Sequence, residues 1–540
     1  MYTLNLTESH APATPEGNIL EHSVGSLLAE QAARYGAQLA LQEVCQDGRL
    51  GRVWTYKELH DDARRLACWL SERYAVGEKV VIWSPNSPEW VLMEYGCALA
   101  GLVLVTANPA YQARELRYVL EQAGAVGLFI VPEFRGNPMQ ALAAEAVAGL
   151  IAVRETVDML TLPSKIAEFD PSIAELPAFD PTAAAQIQYT SGTTGFPKGT
   201  VLSHRALVNN ARFYASRCGV DSDSVWINIM PMFHTSGCGM VTLGCLQAGC
   251  KMILVSLFDP EMVVQLIETQ RASIILGVPT MILAILEQQE QRPVDASSLQ
   301  VVSCGGANVA PELVLRVQAA FGATFSTLYG QTESSPVITQ HHLDDSIDDI
   351  CNTIGQPLAH TAVSIRSVDE NAVVELDTVG EICALGPCTM NEYHDNPDAT
   401  AQTIDAQGWL HTGDLGRMDA RGYVTITGRV KDMIIRGGEN HFPAEIENAL
   451  LEHPDVSDVQ VVGIPDKKWG EVIAAFIRAE AGLVMDEALL HQHCRGILSP
   501  QKTPTIWVQV ESFPMTGSGK IQKFKLREDF LAGHYQMLEG

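Results

Sequence analysis

Basic residues are scarce in this chain. Lys and Arg number 36 against 64 Asp and Glu in 540 residues, and no Lys/Arg-rich cluster interrupts that balance. A nucleic-acid partner is therefore not expected, since neutralising phosphates needs a basic face. The acidic excess reads as a soluble, self-repelling surface. Long uncharged apolar runs are also missing. The two richest segments are VLMEYGCALAGLVLVTA (91–107), which holds Glu94, and CGMVTLGCLQAGCKMILVSLF (238–258), which holds Gln247 and Lys251. A membrane span needs about 20 nearly uncharged residues, so each reads instead as a buried helix followed by a strand. The twelve cysteines include no CxxC pair; Cys383 and Cys388 come nearest to a ligand spacing, with no His/Cys pair close in sequence. Structural zinc is not expected, and reduced thiols of a cytoplasmic protein are. The polar start, MYTLNLTESHAPATPEG, lacks the basic and apolar regions of a signal peptide.

What the chain does have is alternation. KVVIWS, helix-like PEWVLMEYGCALAG and LVLVTAN follow one another. Further on come KMILVS, helical DPEMVVQLIETQ, SIILGVP, and LQVVSCGG before helical APELVLRVQAAFG. Strand–helix–strand order of this kind predicts an α/β fold of stacked layers with mostly parallel sheets. Its ligands would sit at the carboxyl ends of strands. Near residue 428 the texture becomes turn-rich, and AEIENALLEHPDVSDVQVVGIPD then reads as helix, turn, strand. A large unit over 1–428, a junction at 429–433 and a small α+β unit over 434–540 are expected.

One stretch concentrates chemistry. YTSGTTGFPKG, residues 189–199, holds three glycines, four Ser/Thr hydroxyls and one lysine. It is not a Walker A loop, which needs GxxxxGK followed by Ser or Thr. It still suits an anion: glycines let backbone N–H groups approach, hydroxyls donate, and lysine supplies charge. Taken alone, such a run serves equally well as a plain strand–turn connection.

The full string resembles the signature of the adenylate-forming superfamily, which contains acyl-CoA synthetases, luciferases and peptide-synthetase adenylation domains. The resemblance runs in order along nearly the whole chain: WTYKEL (54–59), NPAYQARELRYVL (108–120), MPMFHTSG (230–237), CGGANVAPEL (304–313), YGQTES (329–334), GWLHTGDLG (408–416), GRVKDMIIRGGENHFPAEIE (428–447) and TGSGKIQK (516–523). It implies ATP, Mg²⁺ and CoA as cosubstrates or cofactors. It also implies a large domain with a small sub-barrel and a mobile C-terminal lid. Thr190, Ser191, Gly192, Thr193, Thr194, Gly195 and Lys198 would hold phosphates, and Thr190 with Glu333 would lie at the metal, a hard cation that takes oxygen ligands. Gly306, Ala307, Tyr329, Gly330 and Gln331 would line the adenine face. Thr332 would bond the α-phosphate, and Asp414 and Arg429 would take the ribose. Lys520 would meet the attacking carboxylate, Lys431 would be the hinge, and Gly437, Gly438 and Lys502 would meet CoA.

His234 stands where amino-acid-activating relatives place an aspartate, which argues against an α-amino acid. The resemblance puts it with the catalytic residues Lys520, Glu333 and Thr332 and in the lining of the acyl pocket; a satisfied core histidine is the other reading. Cys238 replaces the gating tryptophan of many long-chain enzymes. With Val278 and Met281 it would line an acyl pocket wide enough for a bulky group. The expected reaction is thioester formation between CoA and an apolar carboxylic acid, a medium- or long-chain fatty acid or a terpenoid or steroid side-chain acid. Alternatives are delivery to a carrier protein, a luciferase-type oxygenase, and a catalytically dead nucleotide-binding regulator. The last needs Glu333, Arg429 or Lys520 to be missing, and all are present. Peripheral membrane contact and a homodimer are both compatible with this reading.

Overall fold

The computed structural model describes residues 3–172, 176–177, 179–190, 197–307, 309–437, 439–480, 482–515 and 521–538, with Asn440 described by its backbone alone. Two mostly parallel sheets carry the large unit. The seven-stranded sheet runs in the order Glu392–Tyr393, Lys198–Ser203, Ala184–Thr190, Val103–Ala107, Lys79–Trp83, Gly127–Ile130 and Glu155–Asp158. Its last five strands are parallel, and the first two are antiparallel additions. The nine-stranded sheet has six parallel strands at its centre, among them Val225–Asn228, Ile274–Gly277, Val301–Gly305 and Thr324–Gly330. Runs such as VVIW and VLVTA are buried residue after residue, which is how strands covered on both faces read.

Both apolar segments fold as helix followed by strand. Pro88–Ala100 and Val103–Ala107 make the first pair, and Leu243–Ala248 and Lys251–Val255 the second. Among the described residues no helix is long and apolar enough to cross a membrane. Helix Pro88–Ala100 starts at Ser87, whose side chain accepts from the Trp90 amide, and stops at Gly101 in the left-handed region. Every residue of it is buried, because it belongs to a helical layer whose core touches strands of both sheets.

The third unit, where a small barrel is expected, is an antiparallel five-stranded sheet in the order His10–Ala11, Ala362–Arg366, Gly380–Leu385, Leu410–Met418 and Val424–Arg429. A single helical turn, Val430–Asp432, leads out of it. The last sheet contains Ile434–Arg436, Val456–Asp466 and Gly470–Ala479, flanked by helices Pro443–Leu451, Glu487–Ile497 and Lys523–Leu531. It closes over its own apolar clusters. The twelve cysteines are all free.

Candidate active site

The glycine- and hydroxyl-rich turn joins two antiparallel strands, Ala184–Thr190 and Lys198–Ser203. Thr190 stands opposite Lys198 and Tyr189 opposite Gly199. Ser191, Gly192, Thr193, Thr194 and Gly195 lie outside the described residues. Strand Lys198–Ser203 ends at Ser203, which caps helix His204–Arg217 by accepting from the Ala206 amide.

On its other edge the same strand pairs with Glu392–Tyr393, and this brings in a residue that sequence reasoning missed. The Lys198 ammonium lies 4.6 Å from the Tyr393 ring centre, a cation–π distance. The Tyr393 hydroxyl donates to Glu333 Oε1 at 2.6 Å. Burial, and then the Glu333 charge, raises the Tyr393 pKa, so the hydroxyl stays a donor. Glu333 is itself buried, and its carbonyl accepts from the Met390 amide at 2.8 Å. Thr190, Lys198, Tyr393 and Glu333 are therefore linked through two strand pairings and one ring. An aromatic residue three positions before the Asn396–Pro397 helix cap was the available signal.

A second cluster forms where strand Thr324–Gly330 ends. The Tyr329 hydroxyl donates to Asp414 Oδ2 at 2.8 Å, and Arg429 Nε approaches Asp414 Oδ1 at 3.0 Å. Asp414 and Arg429 are direct partners across the antiparallel pair. Burial and the Asp414 charge push the Tyr329 hydroxyl well above its usual pKa. Gln331 and buried Thr332 follow, leading into the turn that carries Glu333. The chain packs so closely here that a Cβ on Gly330 would lie 1.9 Å from the Pro336 carbonyl oxygen. Gly330→Ala must push these strand ends apart, at a cost of about 1–3 kcal/mol. It is expected to lower the thermal midpoint and to raise the KM for ATP; an unchanged KM would mean that the strand end does not position the nucleotide.

The turn that presents Asp414 is fixed from behind. Glu381 Oε1 accepts from the Gly413 amide at 2.9 Å, and Glu381 Oε2 lies 2.8 Å from His411 Nδ1. Asp405 reaches His411 Nε2 at 3.6 Å, and Cys383 Sγ sits 3.5 Å from Nδ1. Glu381, Cys383 and His411 thus offer three ligand atoms within 4.8 Å, a grouping hidden in the sequence because His411 lies 28 residues from Cys383. Cys388 is not part of it. The thiol and imidazole of this grouping suit it poorly to Mg²⁺, which takes oxygen ligands.

Gly306 has φ +81° and faces Val278, whose Cγ1 would lie 3.6 Å from an added Cβ. Gly306 and Ala307 are exposed at the end of strand Val301–Gly305. Val278 and Met281 are half-buried against the main core, which includes Met230, Met232, Cys238 and Met240. His234 is exposed, so it is not a core histidine; its Nδ1 accepts from the Ser236 amide at 3.1 Å. Cys238 is fully buried behind it.

Of the residues expected at CoA, Gly437 and Lys502 are described, both on the C-terminal unit. Gly437 has φ +63° beside the exposed Trp469 ring, and Arg436 donates to the Gln501 carbonyl, next to Lys502. Lys502 Nζ is held by Glu445 at 2.5 Å, so a CoA phosphate would have to compete with that carboxylate. Lys431 lies in the Val430–Asp432 turn. Gly438 and Lys520 lie outside the described residues; Met515 and Ile521, the described residues on either side of 516–520, pair antiparallel.

Family models described as "AMP-binding enzyme" and "AMP-binding enzyme C-terminal domain" match residues 28–394 and 445–520. The chain is 34% identical to the human mitochondrial medium-chain acyl-CoA ligase ACSF2, over 96% of this chain and 89% of that one. It is also 34% identical to a Rhodococcus jostii propanoyl:CoA ligase whose acyl group bears a methylated dioxo-octahydroindenyl ring system, over 93% and 98% of the two chains. Among solved structures, ATP-bound MatB from Rhodopseudomonas palustris superposes with a TM-score of 0.85 at 27% identity, covering 94% of this chain and 99% of that one.

Proposed function

The chain belongs to the family of AMP-binding enzymes, and on that premise we propose that it activates an apolar carboxylic acid for transfer to CoA, either a medium- or long-chain fatty acid or a terpenoid or steroid side-chain acid. It is an acid–thiol ligase that uses ATP and CoA. In the first step a carboxylate oxygen attacks the α-phosphorus, a C–O–P linkage forms, and pyrophosphate leaves. In the second the CoA thiolate attacks the acyl carbonyl, and AMP leaves with the oxygen it gained.

Two anions meet in the first step, so fixed positive groups and donors lower its barrier. Lys198 and the turn before it take the β- and γ-phosphates, while Thr332 donates to the α-phosphate. Tyr329 faces the adenine, with its hydroxyl anchored on Asp414; Asp414 and Arg429 meet the ribose hydroxyls. Thr190 and Glu333 would hold Mg²⁺, which draws charge from the phosphate oxygens. Lys520 steadies the attacking carboxylate. Rotation about Lys431 then withdraws it and brings Gly437, Gly438 and Lys502 toward the thiol.

The observation that supports the substrate class is that half-buried Val278 and Met281, the first of them beside Gly306, pack against a core cluster containing Met230, Met232 and Cys238. Of the two ligases named above, one is a medium-chain acyl-CoA ligase and the other acts on a propanoyl group bearing a methylated dioxo-octahydroindenyl ring system. The test is AMP release over a panel of alkanoates, ring-bearing acids and amino acids, with free CoA or a phosphopantetheinyl carrier as thiol. AMP release with apolar acids and free CoA supports the reading. Turnover of amino acids alone, or with the carrier alone, refutes it.

A further inference from the structure

Glu94 has no role in the mechanism above, yet it lies in the middle of the fully buried helix Pro88–Ala100. Its Oε1 accepts from Gln186 Nε2 at 2.8 Å, and its Oε2 has no hydrogen-bond partner among the described residues. An unmet buried polar atom costs about 1–3 kcal/mol, and a ligand atom reaching Oε2 would offset it. The chain of bonds continues from there. Gln186 Oε1 accepts from Gln188 Nε2 at 2.8 Å, and the same nitrogen reaches Cys238 Sγ at 3.1 Å. Cys238 also lies 3.5 Å from Gln186 Oε1.

Gln186 and Gln188 share a face of their strand with Thr190, because side chains two apart point the same way. At about 3.3 Å of rise per residue, Gln188 lies about 7 Å and Gln186 about 13 Å along the strand from Thr190. An acyl group bonded to the α-phosphate and extending inward past Cys238 would travel along this row. Its far end would meet Glu94.

We infer that Glu94, oriented by Gln186, binds an acceptor oxygen, a ketone or a hydroxyl, carried on the distal part of an otherwise apolar acyl group. Burial pushes the Glu94 carboxyl well above its ordinary pKa, which favours its neutral acid form. With Oε1 taken by Gln186, the proton sits on Oε2 and is available to donate. The inference rests on the acyl-ligase reading and narrows its substrate class.

The test compares kcat/KM for AMP release between plain alkanoates and oxo-alkanoates of equal length, the carbonyl being moved one carbon at a time. One carbonyl position should be preferred about ten- to a hundredfold over the plain acid. Glu94→Leu should abolish that preference and leave the plain acid unchanged or improved, and Glu94→Gln should restore most of it through its amide donor. No preferred position in the wild type, or an equal loss for both acid series in Glu94→Leu, overturns the inference. The wild-type ratio needs no variant, so an unfolded Glu94→Leu does not shield the idea. Absence of AMP release with every acid would instead remove the ligase reading, and this inference with it.

Discussion

Lys520→Ala is expected to cut carboxylate-dependent exchange of pyrophosphate into ATP by about a hundredfold or more, while thioester formation from preformed acyl-adenylate keeps most of its rate. The asymmetry follows from where charge develops. In the first step a carboxylate approaches a phosphate, and a fixed ammonium between them acts mainly on the transition state, where single preorganised groups are worth about 10²–10³ in rate. In the second step the adenylate is already made and a thiolate attacks carbon, so the same cation has little left to do. Lys523 is the natural control. It lies three residues further on but is committed to Glu447 at 2.6 Å, so Lys523→Ala should leave exchange close to wild type. Equal loss of both half-reactions in Lys520→Ala would remove the lysine from its assigned step.

Glu333→Gln should produce a different pattern. The amide keeps the size and can still accept from Tyr393, but it lacks the charge that a hard divalent cation needs. The adenylation rate should fall about a hundredfold, and the Mg²⁺ concentration for half-maximal exchange should rise about tenfold. Tyr393→Phe removes only the 2.6 Å hydrogen bond and leaves the carboxylate in place. Its expected cost is about 1–2 kcal/mol, roughly a tenfold loss. A Glu333→Gln enzyme with unchanged Mg²⁺ dependence would take the carboxylate away from the metal and leave it a structural partner of Tyr393.

The layered architecture was legible because buried parallel strands are written as short unbroken apolar runs, and KVVIWS, LVLVTAN and SIILGVP each fold as expected. Gly330 was legible only as a nucleotide-site residue within YGQTE; its close approach to the Pro336 carbonyl came from the structure. What could not be read was which residues meet. Tyr329 and Asp414 are 85 residues apart, and Tyr393 and Glu333 are 60 apart. Tyr393 sits on a two-residue edge strand, too short to leave a periodic signal, and its position is set by pairing with Lys198–Ser203. His234 was left between pocket and core by sequence alone; its exposure depends on how the turn before Ser236 folds. Glu94 argued against a membrane span, but nothing nearby in the sequence pointed to Gln186, 92 positions away.

The most direct measurement of the central chemistry follows oxygen. With both carboxylate oxygens of a turned-over acid labelled with oxygen-18, the AMP released in the presence of CoA and ATP should carry one heavy oxygen, and the thioester should keep the other. That distribution requires a C–O–P bond between acid and nucleotide. Unlabelled AMP, or label appearing in inorganic phosphate beside ADP, would mean that no acyl-adenylate forms, and the account would be wrong at its first step.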